Sequence, residues 1–289
     1  VLGDFKHVFE MPLRFSDTCA AGFISHEGLA RHMEDARISL MAAAGKLQGS
    51  APVEGGMLVR LTLKEFAKLY WPGRVNAGVG VRYIGDKSYC FGIACFQNDR
   101  LVAYSESVNV VVDLSTHRPI SLSEQDRTAL QAVMVNFEGD LTPDSRVLPN
   151  SVAYEAFPFK QERSPRFSDS DLLGHINNVA VVRHYQDALM ELLVSLGEPV
   201  AGVSSDRQLS VLSSDTSYFG EAHIHSPLAV GIRILAIEAD HIIVEQKLFQ
   251  NGKGVGERQL KFGFTNAHGT LLAIDNHAKY LPFVKTGEI

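Results

Sequence analysis

The chain contains itself twice. Arg14-Phe15-Ser16-Asp17 returns as Arg166-Phe167-Ser168-Asp169, an offset of 152 residues. At that offset Gly22 matches Gly174, Ile24 matches Ile176, Arg31-His32 matches Arg183-His184, and Asp35-Ala36 matches Asp187-Ala188. Further on, Phe96-Gln97-Asn98 matches Phe249-Gln250-Asn251 at offset 153, and Pro72 and Val75 match Pro227 and Val230 at offset 155. One shared tetrapeptide could arise by chance, but ordered matches at a nearly constant offset do not. The period far exceeds the roughly 20–50 residues of solenoid repeats, so each copy is expected to be a domain-sized unit. The reading divides the chain into copy one (1–120), a joining segment (121–152) and copy two (153–289).

Both copies present the same order of elements. A short strand, about Phe5–Phe15 or Phe157–Phe167, leads into a polar, glycine-containing loop and then one long helix. Leu29, Met33, Ala36, Leu40 and Ala43 step by four and three, as do Val182, Tyr185, Leu189, Leu192 and Leu196. That spacing makes one apolar helix face. Gly45 and Gly197 stand where a helix would end. Four strand-like runs follow each helix: Met57–Tyr70, Arg74–Tyr83, Ser88–Gln97 and Leu101–Asp113, then Gln208–Tyr218, Leu228–Ala239, Ile242–Gln250 and Gly254–Thr265. One helix followed by an antiparallel meander predicts an α+β class rather than parallel βαβ units. The joining segment should open with a short helix over Ser123–Val133, with Ser123 as N-cap.

Composition excludes several classes. Hydrophobic residues make up 45% and charged residues 21%, as in a globular chain rather than a disordered one. With 27 Lys+Arg against 33 Asp+Glu, the net charge of −6 gives no reason to expect nucleic acid. No apolar run approaches the roughly 18 residues that span a membrane. The start, Val1-Leu2-Gly3-Asp4, lacks the regions of a signal peptide. Cys19, Cys90 and Cys95 follow no metal-ligand spacing, so a reduced, cytoplasmic setting is expected. His223 and His225 would share one strand face, but no third metal ligand is evident. Arg31 with Asp35, and Arg183 with Asp187, are spaced for ion pairs along a helix.

The loop of copy two carries the chemistry. It reads Asp169-Ser170-Asp171-Leu172-Leu173-Gly174-His175-Ile176-Asn177-Asn178 ahead of the helix. This closely resembles the Asp-x-Asp-x-x-Gly-His-x-Asn-Asn signature of hotdog-fold acyl thioesterases, the 4-hydroxybenzoyl-CoA thioesterase-like superfamily, and extends to fatty acyl-ACP thioesterases. The resemblance implies two tandem hotdog domains, each an antiparallel sheet wrapped around one long helix, with the thioester at the seam between them. It further implies that Asp171 is general base or nucleophile, that the backbone N–H of Asn178 polarises the carbonyl, and that His175 assists. Gly174 and Asn177 are expected to contact substrate. The acyl-ACP branch has Asn where this chain has Leu173, which separates the two mechanisms.

Elementary chemistry fits those roles. Thioester hydrolysis develops negative charge on a carbonyl oxygen, and a helix N-terminus offers free N–H donors and a positive dipole end. One well-aimed donor is worth roughly 2.7–4 kcal/mol. Thiolate is a good leaving group, so neither a metal nor another cofactor is expected. Bland readings stand beside these: Asp171 as a turn residue, Asn177 and Asn178 as helix caps, and Asp169, shared with Asp17, as a structural residue.

Copy one has diverged. Cys19 replaces Asp171, Phe23 replaces His175, and Ser25-His26 replaces Asn177-Asn178. It is expected to have lost chemistry and kept the partner surface. The expected function is hydrolysis of acyl-CoA to free acid and thiol at one site per chain. Acyl-ACP is the other carrier considered, and two tandem chains can further associate as a homodimer. A non-catalytic acyl-thioester binding protein is the alternative. An enoyl-thioester hydratase ranks lower, because its Asp-x-Asn-x-x-His pattern meets Leu173 and Ile176 here.

Overall fold

The computed structural model describes residues 2–43, 54–113, 115–116, 118–136, 152–172, 174–198, 206–266 and 268–285. Gly45 and Leu173 lie outside them. Copy one comprises β1 (His7–Pro12), α1 (His26–Ala43), β2 (Glu54–Glu65), β3 (Arg74–Ile84), β4 (Ser88–Gln97), β5 (Arg100–Asp113) and the short β6 (Arg118–Pro119). After α2 (Glu124–Ala132), copy two comprises β7 (Phe159–Arg163), α3 (Asn178–Ser195), β8 (Gln208–Tyr218), β9 (Leu228–Ile237), β10 (His241–Gln250), β11 (Lys253–Thr265) and the short β12 (Leu271–Leu272). All named strand pairings are antiparallel, in the order β1-β3-β4-β5-β2-β8-β11-β10-β9-β7. The second half of that path repeats the first in reverse, so the copies meet edge to edge at β2 and β8.

Each helix buries its predicted stripe against its own sheet. Leu29, Met33, Ala36 and Leu40 are buried, as are Tyr185, Leu189 and Leu192. Each such large side chain contributes about 1.5–3 kcal/mol through removal from water. Val182 differs, packing with the core of copy one from α3. Ala43 and Leu196, at the stripe ends, are exposed and half-buried respectively. Gly197, at φ +71°, ends α3: its N–H donates to Val194 O at 2.9 Å and that of Glu198 to Leu193 O at 2.9 Å. This is a Schellman stop, whose positive φ favours glycine. The Ser123 cap also forms, its Oγ accepting the Asp126 N–H at 3.1 Å.

β4 is buried along nearly its whole length because its second face is covered too. Phe5, Phe96, Tyr104 and Val135 cluster on that outer side. Phe5 lies so close over Gly78 that a Cβ there would meet its ring at 2.5 Å, and Phe157 sits equally over Gly231 at 2.4 Å. The same aromatic-on-glycine contact thus recurs at equivalent places in both copies.

The shared tetrapeptide builds a latch under each loop. Asp169 is fully buried; its Oδ2 accepts the Arg166 N–H at 2.9 Å and faces His184 Nε2 at 3.1 Å, while Oδ1 pairs with Arg183. Its backbone O accepts from the Asn177 N–H at 2.8 Å. Asp17 does the same with Arg31, with His32 at 3.3 Å, and with the Ser25 N–H at 2.8 Å. The helix ion pairs expected between Arg31 and Asp35, and between Arg183 and Asp187, therefore give way to these buried acceptors. Asp35 pairs with Arg14 and Asp187 with Arg163 instead.

The copies are joined by five residue pairs, Arg60↔Ser217 through Lys64↔Ser213. Arg60 spans the seam with two parallel bonds to Asp215, Nε to Oδ1 at 2.9 Å and Nη2 to Oδ2 at 2.7 Å. Asp215 is buried, and such forked pairs fix geometry as well as adding energy. Arg60→Leu strands that carboxylate without its guanidinium. It should lower unfolding stability by about 3 kcal/mol in urea titrations, the low end for breaking a buried pair because Arg60 is 26% exposed. A loss under about 0.5 kcal/mol, the size of an ordinary surface substitution, would remove the seam pair from this account.

The latches also predict acid sensitivity. Burial pushes His32 and His184 below the ordinary imidazole pKa. The unfolded chain therefore binds protons that the folded chain refuses, so stability rises with pH through about 6.5 and is lost below it. Burial would raise Asp169, but the Arg166 N–H, Arg183 and His184 outweigh it and hold its carboxyl down, which adds a further loss in stronger acid. The urea midpoint should fall between about pH 7.5 and about pH 5.5, and the fall should shrink in a His32→Asn, His184→Asn double variant. An unchanged midpoint in the parent protein would contradict this.

Candidate active site

The loop of copy two is a compact hairpin. Ser170 and Ile176 form an isolated antiparallel bridge, the Asp171 N–H donates to His175 O at 2.9 Å, and the Gly174 N–H donates to Asp171 O at 3.1 Å. Gly174 has φ +79°, a conformation a side chain would strain. The Asp171 carboxylate accepts the His175 N–H at 3.1 Å through Oδ1, which fixes its direction. Asp171 and His175 are both half-buried.

Asn177 is the N-cap of α3: Oδ1 accepts the Val179 N–H at 2.7 Å. Its Nδ2 donates to Glu34 Oε1 of copy one at 2.9 Å. Both ends of that amide thus bond within the protein, which fits the capping reading of Asn177. Asn178 begins α3, and its backbone N–H has no hydrogen-bond partner among the described residues. Asn178 also lines a cavity of about 20 Å³ whose other walls are α1, β2, β4 and β5, including Met33, Leu58, Leu61 and Ile93. The loop and helix end come from copy two and the cavity walls mostly from copy one.

Sequence reasoning missed Glu221. It lies in the connection after β8, where the Ala222 carbonyl accepts the Ile176 N–H at 2.7 Å. That bond lays the connection beside the loop, and Glu221 Oε2 stands 3.1 Å from His175 Nε2. A carboxylate there orients the imidazole. A signal was available: Phe66 and Phe219 donate to Val102 O and Val255 O at 2.9 Å each, which aligns Lys68 with Glu221 at offset 153. His223 and His225 are corrected too. They sit in the same connection rather than on a strand, and His223 packs its ring on His175 at 5.2 Å. His175, Glu221 and His223 bring ligand atoms within 4.8 Å of one another, so these three could hold a metal ion.

The equivalent place in copy one keeps the frame and loses the groups. Thr18 and Ile24 form the matching bridge, and Ile24 N–H donates to Leu69 O at 2.8 Å. Instead of a histidine–glutamate pair, the Lys68 ammonium stands 4.9 Å over the Phe23 ring. Lys68 donates to Glu65 Oε2 at 2.7 Å, and His26 Nδ1 faces Glu65 Oε1 at 2.8 Å. Burial would raise the Glu65 carboxyl, but Lys68 and His26 outweigh it and hold it at about 2. Cys19 is the half-buried one of three free cysteines; burial pushes Cys90 and Cys95 up to about 12.

Residues 165–282 match the sequence family described as the thioesterase-like superfamily. No curated protein sequence matches the chain. Among solved structures, it is similar to a putative oleoyl thioesterase from Lactobacillus plantarum (TM-score 0.73, 14% identity, 90% of this chain and 96% of that one). It is also similar to a 12:0-ACP thioesterase from Umbellularia californica (TM-score 0.71, 14% identity, 90% and 97%). A third likeness is to an acyl-ACP thioesterase from Bacteroides thetaiotaomicron (TM-score 0.69, 16% identity, 89% and 97%). At such identities the likeness establishes fold, and it covers both copies. The chain has the tandem hotdog fold, and its second copy matches the thioesterase-like superfamily.

Proposed function

We propose that the protein hydrolyses an acyl thioester at a single site built by the loop of copy two over the cavity of copy one. The observation that carries this reading is the Asp171–His175–Glu221 group in the loop leading into α3, whose first residue, Asn178, lines the cavity with an N–H that has no partner among the described residues. The thioester carbonyl oxygen accepts from that N–H, where the helix end stabilises the oxyanion. Asp171 takes the proton of the attacking water, or itself attacks the carbonyl carbon to form a mixed anhydride that water then hydrolyses. The C–S bond then breaks, and His175, held by Glu221, supplies the proton that the departing thiolate takes up. Residues 165–282, the stretch matching the superfamily, contain every one of these groups.

Acyl-CoA is the proposed carrier. Acyl-ACP is the second reading, favoured by the names of two of the similar structures. A panel of both carriers with a free-thiol readout decides between them, and thiol release from neither would defeat the hydrolytic reading.

Asp171→Asn should lower kcat by roughly 10²–10⁴ with little change in KM, the range for losing a positioned acid–base group. Glu221→Gln should lower kcat by about tenfold or more through His175, whereas Cys19→Ala should leave turnover essentially unchanged. Near-normal turnover in Asp171→Asn, or loss of turnover in folded Cys19→Ala, would place the chemistry elsewhere.

A further inference from the structure

Copy one holds a cavity of about 100 Å³ at the place equivalent to the candidate active site. Here the relation is inverted: the loop comes from copy one, and the walls are α3, β8 and β11 of copy two. Arg258 stands at the position equivalent to Ser105, at offset 153, and lines this cavity. It is only 1% exposed, yet its Nε and Nη1 have no hydrogen-bond partner among the described residues. A buried guanidinium without an acceptor is a costly arrangement unless something else supplies one.

The described residues supply no acceptor to those two nitrogens; the guanidinium has the Tyr185 ring, 5.9 Å from its carbon, beside it. Among the groups acting on Arg258, Glu65 is the carboxylate, and its two oxygens are engaged by His26 at 2.8 Å and Lys68 at 2.7 Å. Burial keeps His26 below the ordinary imidazole pKa, so the cavity holds two cations, Arg258 and Lys68, against one carboxylate. Even with burial lowering its pKa to about 10, Arg258 stays charged at neutral pH. The remaining wall is apolar: Leu189, Met190, Leu209, Val211 and Leu260. The volume suits a small organic molecule rather than one water.

We propose that this cavity binds a short aliphatic monocarboxylate, whose carboxylate accepts from Arg258 and whose carbon chain lies against Leu189, Met190 and Leu260. The ligand belongs to the class of acid that thioester hydrolysis releases, but the binding stands independently of hydrolysis.

Cys19 lines the cavity and is half-buried, while Cys90 and Cys95 are buried, so its alkylation by iodoacetamide reports occupancy. Saturating hexanoate should slow Cys19 labelling by about fivefold or more, read by mass spectrometry without any thioester present, whereas 1-hexanol should slow it less than about twofold. By calorimetry, hexanoate should bind at least about tenfold tighter than 1-hexanol, a difference that Arg258→Met removes. The acid–alcohol comparison on the unaltered protein decides the matter even if Arg258→Met does not fold. Equal labelling rates with and without hexanoate, or equal affinities for acid and alcohol, would overturn the proposal.

Discussion

Everything functional in this molecule depends on the pairing of β2 with β8. Five residue pairs and the forked Arg60–Asp215 bridge make two sheets into one. Unpaired, each of these strands would present a row of free backbone donors and acceptors. Pairing satisfies them and lays α1 alongside α3, with Asn177 of one copy bonded to Glu34 of the other. One cavity then takes the start of α3 from copy two and most of its walls from copy one, and the other takes its loop from copy one and most of its walls from copy two. A single copy could supply either a loop or its walls, but not both.

Within that frame the two sites have moved apart in charge while keeping their backbone. The latch aspartates Asp17 and Asp169, the bridges under the loops and the aromatic-on-glycine contacts are common to both. The side chains that the loops and the following connections carry are not. Asp171, His175 and Glu221 have Cys19, Phe23 and Lys68 as counterparts, so a carboxylate–imidazole pair on one side is a cation over an aromatic ring on the other. The apolar core and latches hold the loop, so these side chains could change without loss of the fold.

Local chemistry explains what was legible in the sequence. The β4 and β8 boundaries, the Ser123 cap and the Gly197 stop follow from short-range signals and stand where they were read. The repeat exposed the two-copy plan, and the loop motif carried Asp171, His175 and Asn178. Glu221 lies 46 residues beyond His175 and meets it only because the connection after β8 folds back through the Ala222–Ile176 bond. The partners of Arg31 and Arg183 were misread for a similar reason. Helical spacing offered Asp35 and Asp187, whereas the buried Asp17 and Asp169 were the stronger acceptors. Arg258 reads as an ordinary strand residue until the first copy's loop closes over it.

On the proposed function the two copies exchange parts: the loop of copy two acts on an acyl chain held by copy one. An S-alkyl thioether analogue, with a methylene in place of the scissile carbonyl and a diazirine at the chain tip, tests it directly. After photolysis and peptide mass spectrometry, adducts should fall on the α1 and β2 wall, at Met33, Leu58 or Leu61. Adducts concentrated instead on Leu189, Met190 or Leu260 would place the acyl chain in the opposite cavity and contradict the account.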